Sequence, residues 1–294
     1  MNQIHVYEVG PRDGFQNLPD FVPTEKKLEI IGKLVESGIK HIQHTSFVSP
    51  KAIPQMKDSK ELTRLCLETY PEVEFFALVP NLYGARTARE AGIRLISFVV
   101  SLSESHNKAN INRTHTESFA ELKAIMEAYP DLNICLDLST TFGCPFEGKF
   151  GPESVVAFLK DYVNLGVSMV NLCDTIGIAN PKEVRNIIQA VKASYPHLDL
   201  QIHIHDTRNM GMVNTLAAIE CGIDKIQSTL GGLGGCPFAP GASGNLATED
   251  VVYMLNGMGY DTGIDFDKLL AAAKFQKNVI PGGNYSGHHL HIRA

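Results

Sequence analysis

Short apolar runs alternate with amphipathic segments along the whole chain, and no low-complexity stretch interrupts the pattern. Runs at residues 4–8, 41–45, 74–79, 95–100, 133–138, 169–173, 200–205 and 225–228 predict eight strands. Between them apolar residues recur at helical spacing over 24–37, 59–69, 118–128, 152–165, 181–194 and 213–221. Pro23-Thr24 opens the first of these helices, Gly38 closes it, and Gly166 and Gly222 close later ones. Strands and helices in alternation imply parallel βαβ units with right-handed crossovers, and one closed (β/α)8 barrel (a TIM barrel) is the simplest solution. A helix near 265–277 and a polar tail, GGNYSGHHLHIRA, follow. Residues 1–294 are therefore expected to form one catalytic domain, with the extra C-terminal helix and tail starting at about residue 262. A doubly wound open sheet is the alternative, but the G-x-G-x-x-G turn it would want after its first strand is absent.

Composition narrows the function classes. The 294 residues, 44% of them hydrophobic, can bury a large core, and (β/α)8 barrels commonly run to about 250 residues. A net charge of −6 without any basic run makes nucleic acid an unexpected partner. No stretch approaches the ~18 uninterrupted apolar residues of a membrane span. The N-terminus enters a strand without a charged-then-apolar leader, and the six cysteines are scattered with no CxxC pair. Reduced thiols and a cytoplasmic setting are expected.

In a barrel, chemistry sits where strands end. The seventh strand lies in LDLQIHIHDT (198–207), where the period of two points His203 and His205 the same way, opposite Ile202 and Ile204. Two such imidazoles make a bidentate platform for a divalent cation, or else a pair of structural histidines hydrogen-bonded beside the sheet. Asp13 after the first strand and Asn245 beyond the eighth add oxygen ligands. Two nitrogens plus oxygens suit Mg²⁺ or Mn²⁺, and Zn²⁺ also fits such a set. Arg12 offers a fixed positive charge to a carboxylate or enolate oxygen, unless it only pairs locally with Asp13. Gln16, Gln43, Ser46, Asn81, Ser139 and Thr175, at or just past strand ends, are the candidate substrate contacts. GGLGGCPFAPGASGN (231–245) is dense in glycine and suits a mobile lid, on which Cys236 is either a proton donor or an inert thiol.

Several of these segments resemble the 3-hydroxy-3-methylglutaryl-CoA (HMG-CoA) lyase family: EVGPRDG (8–14), TSFVSPKAIPQM (45–56), SESHNKANIN (103–112), FGCPFEGK (142–149), CDTIG (173–177) and GGLGGCPFAPGASGNLATED (231–250). The resemblance runs through nearly the whole chain. It implies a (β/α)8 barrel with extra C-terminal helices and an Mg²⁺- or Mn²⁺-dependent carbon–carbon lyase. It also implies metal ligation by Asp13, His203, His205 and Asn245, an Arg12 that meets the substrate carbonyl, and proton transfer by Cys236.

The expected reaction is retro-Claisen cleavage of HMG-CoA to acetoacetate and acetyl-CoA, with Asp13 or His203 as base. The alternatives are a lyase or aldolase of the same barrel acting on another 3-hydroxyacyl-CoA or a 2-oxo acid, and a metallohydrolase. A metallohydrolase would ordinarily carry HxH on its first strand, and a non-catalytic binding barrel would leave the Arg-Asp-His-His-Cys set unexplained. The expected partners are a small acyl-CoA or hydroxy-acid substrate and a second copy in a homodimer.

Three positions depart from the family pattern. Gln43 and His44 occupy the segment where the family usually has a strand-end glutamate, Leu18-Pro19 stand where Glu-Lys contacts CoA, and Met169 replaces an acid. A neutral Gln43 should lower the basicity of Asp13 and the histidines and weaken HMG-CoA turnover. His44, next along the strand, should face away from the site.

Cys236 is expected to act in chemistry more than in stability. Cys236→Ser should cut turnover within the ~10²–10⁴-fold range of general acid–base catalysis and leave the melting temperature nearly unchanged. A large loss of stability with normal turnover would return this thiol to a structural role.

Overall fold

The structure, a computed structural model, describes residues 3–235 and 244–292. Its centre is a closed barrel of parallel strands in chain order: β1 (His5–Glu8), β2 (His41–Ser46), β3 (Glu74–Leu78), β4 (Leu95–Ser101), β5 (Asn133–Ser139), β6 (Met169–Asp174), β7 (Asp199–Ile204) and β8 (Lys225–Ser228), with β8 pairing back on β1. This excludes the open sheet. Around it lie α1 (Thr24–Glu36), α2 (Ser59–Thr69), α3 (Leu82–Glu90), α4 (Glu104–Ile111), α5 (His115–Ala128), α6 (Pro152–Leu165), α7 (Pro181–Ser194), α8 (Gly211–Glu220), α9 (Thr248–Gly257) and α10 (Phe266–Val279).

Alternation along the strands sorts the side chains. Ile42, Ile96, Val170, Ile202, Ile204 and Ile226 are buried in the layer between barrel and helices. A separate small cluster, Tyr7, Val9, Phe76, Leu95 and Cys135 with Met169 against it, fills the lower interior of the barrel. The next inward layer is polar: Asp137, Asn171 and Gln201 stand in direct register on β5, β6 and β7. Above Gln201 on β7 comes His203.

Three helices, α3, α4 and α9, were not expected from periodicity. The sequence of α4 (ESHNKANI) is polar with little apolar stripe to read, and α3 (LYGARTARE) turns only small residues, Gly84, Ala85, Thr87 and Ala88, to the interior. They are set by their caps: the Asn81 side chain accepts from Gly84 N at 2.8 Å, and Ser103 accepts from His106 N at 3.1 Å. α9 begins soon after the glycine-rich segment, in a stretch to which the sequence assigned no element. The tail folds back over the eighth strand's exit, with Ser286 and Gly287 amides donating to Gly231 O at 3.1 and 3.0 Å.

Two buried carboxylates brace this end of the barrel, Glu8 joining β1 to the β8 exit and Glu249 tying that exit to α9. Glu8 accepts from Gly10 N (2.8 Å), Leu230 N (2.9 Å) and Thr248 Oγ1 (2.7 Å). A side chain at Gly10 would meet Glu8 Oε1 at 2.5 Å, so glycine is required for this approach. Glu249, at the start of α9, accepts from Gly231 N at 2.9 Å. Burial raises Glu8 to about 7 and Glu249 to about 8, both from 4.5.

The sign of the linkage follows from those shifts. The folded chain keeps the Glu249 proton to about 8, whereas the unfolded chain releases it near 4.5. Protonation therefore favours the fold, and that stability is lost as pH rises through this window. The melting temperature should fall between about pH 5 and about pH 9. Glu249→Gln, which keeps an acceptor for Gly231 N, should flatten that fall by a few degrees, at about 2–4 °C per kcal/mol. An unchanged slope would show that Glu249 is already ionised in the fold.

Candidate metal centre and active site

The end of β1 passes into a single π-helical turn, Gly10–Gly14, in which the Asp13 amide donates to Val9 O at 2.7 Å. This turn presents two adjacent charges. Arg12 Nη1 donates to Asp13 Oδ1 at 2.6 Å, and Gln16 Nε2 donates to the same oxygen at 2.9 Å. Asn245 Nδ2 donates to Asp13 Oδ2 at 2.6 Å. Burial alone would raise the Asp13 carboxyl, but the Arg12 charge and the Asn245 hydrogen bond oppose it, and the group is held below its usual range.

β7 ends one residue earlier than expected, and His205 lies just past it in an isolated β-bridge with Asn245. His203 Nε2 and His205 Nε2 face each other at 3.1 Å. Two ring nitrogens this close require either a proton or a cation between their lone pairs. His203 Nδ1 faces Gln227 Oε1 at 3.2 Å, and Gln227 Nε2 in turn donates to Gln201 Oε1 at 3.3 Å. Gln201 Nε2 points at the Met169 thioether, which can only accept, at 3.8 Å. The chain of amides thus puts the hydrogen of His203 on Nδ1 and leaves Nε2 basic. Burial pushes both histidines down, His205 to about 3, so both stay neutral and ready to ligate. The Thr175 carbonyl lies beside the His205 ring, but His205 Nδ1 makes no hydrogen bond of good geometry.

Ligand atoms of Asp13, His203 and His205 lie within 4.8 Å of one another, a grouping that suits a divalent ion. Asn245 Oδ1 is buried without a hydrogen-bond partner beside them, as a fourth ligand would be. The residues therefore fit the group.

Residues 3–275 match the HMGL-like family model. The mitochondrial hydroxymethylglutaryl-CoA lyase of Macaca fascicularis is 42% identical over 275 residues, 93% of this chain and 84% of that protein. Hydroxymethylglutaryl-CoA lyase YngG of Bacillus subtilis is 41% identical over 93% of this chain and 92% of its own length. The solved HMG-CoA lyase of Acinetobacter baumannii, in complex with coenzyme A and 3-methylmalate, superposes with a TM-score of 0.89 at 41% identity, covering 95% of this chain and 92% of that one. The chain belongs to the HMG-CoA lyase family.

In this member of the family the other expected site residues divide by what they touch. Gln43 is fully buried: its Oε1 accepts from Arg12 Nε and its Nε2 donates to Ser97 Oγ at 3.0 Å. Its amide hydrogen is in use, so a glutamate at that position would lose a donor as well as gain a charge. His44 faces outward as expected, bonded to Phe76 O and Thr63 Oγ1 of α2, and burial lowers it to about 4. A register shift between Gln43 and Thr45 follows at once. Ser46 Oγ is buried and unpartnered, which leaves it available to a ligand. Ser139 ends β5 half-buried. Asn81 caps α3, and Thr175 Oγ1 accepts from Thr140 N at 2.7 Å, so both also support backbone. Thr140 needs that support, with a left-handed φ of 57°. Cys236 lies outside the described residues; the other five cysteines are free thiols.

Reading only strand ends missed Gln227, Ser97, Asp137 and Asn171. Each is a mid-strand polar residue on the inner face, a signal that appears only once the barrel is known to close.

One divalent ion per chain is expected at Asp13, His203 and His205. His205→Ala should leave the far-UV circular dichroism intact and weaken Mn²⁺ binding by more than the ~10–100-fold typical of an outer-shell change. Unchanged metal occupancy would overturn the assignment.

Proposed function

We propose that this chain is a divalent-metal-dependent HMG-CoA lyase, cleaving its substrate to acetoacetate and acetyl-CoA. The observation that carries the reading is the convergence of Arg12, Asp13, His203 and His205 at one mouth of the barrel, in a chain of this family. The coenzyme A bound in the A. baumannii relative supports an acyl-CoA substrate. A divalent cation held by Asp13, His203, His205 and Asn245 would act as a Lewis acid on substrate oxygens and acidify the tertiary hydroxyl.

The chain's own groups supply the rest. His203, its Nδ1 hydrogen directed at Gln227, has only Nε2 to offer the ion, so the basic group left at the centre is the Asp13 carboxylate, and the hydroxyl proton passes to it. The C2–C3 bond then breaks. C3 becomes the ketone of acetoacetate, and the electron pair moves into the thioester as the enolate of acetyl-CoA. Arg12, buried and fixed by Gln43 and Asp13, places positive charge where that enolate oxygen develops. Protonation at C2, with Cys236 as donor, completes acetyl-CoA. A second reading, another 3-hydroxyacyl-CoA of the same type, is favoured by the amide of Gln43, which presents a neutral face beside Arg12.

The deciding assay is acetyl-CoA release from HMG-CoA with Mg²⁺ or Mn²⁺ added. Activity that is abolished by chelator, and by Arg12→Met some ~10²–10³-fold, is the expected result. Faster cleavage of another 3-hydroxyacyl-CoA would move the chain to the second reading. Cleavage of 2-oxo-acid aldols alone would overturn both.

A further inference from the structure

The tail after α10 enters none of the steps above, yet it is bonded closely to the barrel. Asp250, buried in the first turn of α9, accepts from both the backbone and the ring of two consecutive histidines. His288 N and Nδ1 meet its Oδ2 at 2.8 and 3.0 Å, and His289 N and Nδ1 meet its Oδ1 at 3.2 and 2.5 Å. The His289 ring lies against Tyr253 of α9 and Phe266 of α10, with centroids 4.5 and 5.3 Å away. On the other side of the turn, Tyr285 Oη donates to the Gln276 and Ile280 carbonyls at 3.2 and 3.1 Å.

Ser286 and Gly287 sit between those two anchors, where the tail meets both roots of the glycine-rich segment. Ser286 Oγ reaches Gly232 O at 3.2 Å and Asn245 O at 3.4 Å, sharing its one hydrogen between them. Gly232, at a φ of 64°, has no room for a Cβ against that hydroxyl, so the close approach is built into both partners. Asn245 is held from its other side as well. It bridges to His205, and its Nδ2 bonds Asp13 Oδ2 at 2.6 Å and Leu233 O at 3.3 Å. The backbone of the fourth candidate ligand is thus caught between the exit of β7 and the tail.

We propose that Ser286 is a positioning residue for Asn245, carried to it by a tail latched on Asp250. The hydroxyl fixes the Asn245 backbone, and with it where Oδ1 stands relative to Asp13 and the histidines. The tail then contributes to metal affinity without touching the metal. Two successive histidines on one carboxylate also set the register of the tail, since a slip of one residue would carry Ser286 away from both carbonyls. What Asn245 does rests on the metal-centre reading; how Asn245 is held rests on these bonds alone.

The test is a double-mutant cycle on Mn²⁺ affinity, measured by titration calorimetry without substrate, with the melting temperature of every variant. Ser286→Ala should weaken Mn²⁺ binding about tenfold, the low end of an outer-shell change. In an Asn245→Ala background the same substitution should cost no more than about twofold, because the ligand it positions is gone. Asp250→Asn, which touches no candidate ligand, should reproduce the Ser286→Ala loss and add nothing to it in combination. Unchanged affinity in Ser286→Ala, whatever its melting temperature, overturns the proposal. So does an equal loss with and without Asn245, or losses that multiply when Ser286→Ala and Asp250→Asn are combined. If the unmodified chain binds no Mn²⁺, the metal-centre reading falls and the tail is read by amide hydrogen exchange instead. The Thr229 and Thr248 amides, which join the two roots through bonds of 3.0 Å to Leu246 O and Thr229 O, should then exchange faster in both single variants. Protection equal to that of the unmodified chain would refute the role of the tail.

Discussion

Asp13 carries its negative charge in a place where burial works against it. Donors from Arg12, Gln16 and Asn245 keep it ionised, and everything else at the barrel mouth is arranged around that carboxylate. The donors arrive from the turn after β1 and from the segment after β8, so the two must be fastened to each other. Glu8 does the fastening by accepting the Gly10 and Leu230 amides on either side of the β1–β8 pairing, and Glu249 holds Gly231 to the start of α9. The two histidines complete the balance by remaining neutral, because desolvation dominates their equilibria. One ionised oxygen ligand next to two neutral nitrogens is the protonation state a divalent cation requires.

The interior below the mouth obeys the same constraint in a different form. Each polar side chain pointing inward has to be satisfied by another, since the lower end is closed by Tyr7, Phe76, Leu95, Cys135 and Met169. The outcome is two directed lines of hydrogen bonds. One runs from His203 through Gln227 and Gln201 to the Met169 thioether; the other runs from Arg12 through Gln43 to Ser97. Both start at a group of the candidate site, and the Met169 thioether, which can only accept, sets the direction of the first. The site is therefore oriented from below as well as from its rim.

How much of this was legible in the sequence depends on how local the cause is. The eight strands showed themselves through apolar runs, and α2, α6 and α7 matched their periodic segments to the residue. The convergence of Asp13, His203 and His205 was readable because strand ends are where a barrel places chemistry and because His203 and His205 share a strand face. α4 was not readable: its stability comes from the Ser103 cap and the packing of a polar segment, neither of which leaves a period. Asp137 and Asn171 were invisible for a related reason. A polar residue in mid-strand looks like ordinary alternation until closure shows that its face is interior. Gln43 could be recognised as a departure from the family, but its amide bond to Ser97 depends on β2 and β4, which are not adjacent in the barrel.

The pairing of β1 with β8 has one more consequence. Asp13 and Asn245 are joined by a direct hydrogen bond between residues 232 positions apart, and the histidines come from the strand before the last. A chain folded only through its first half would carry the carboxylate without the imidazoles, and one folded only through its second half the reverse. The cluster of Asp13, His203, His205 and Asn245 is thus a property of the closed ring, whose circumference must be completed before these groups meet. The entropy of bringing such distant groups together is borne by folding, so binding finds them already in place.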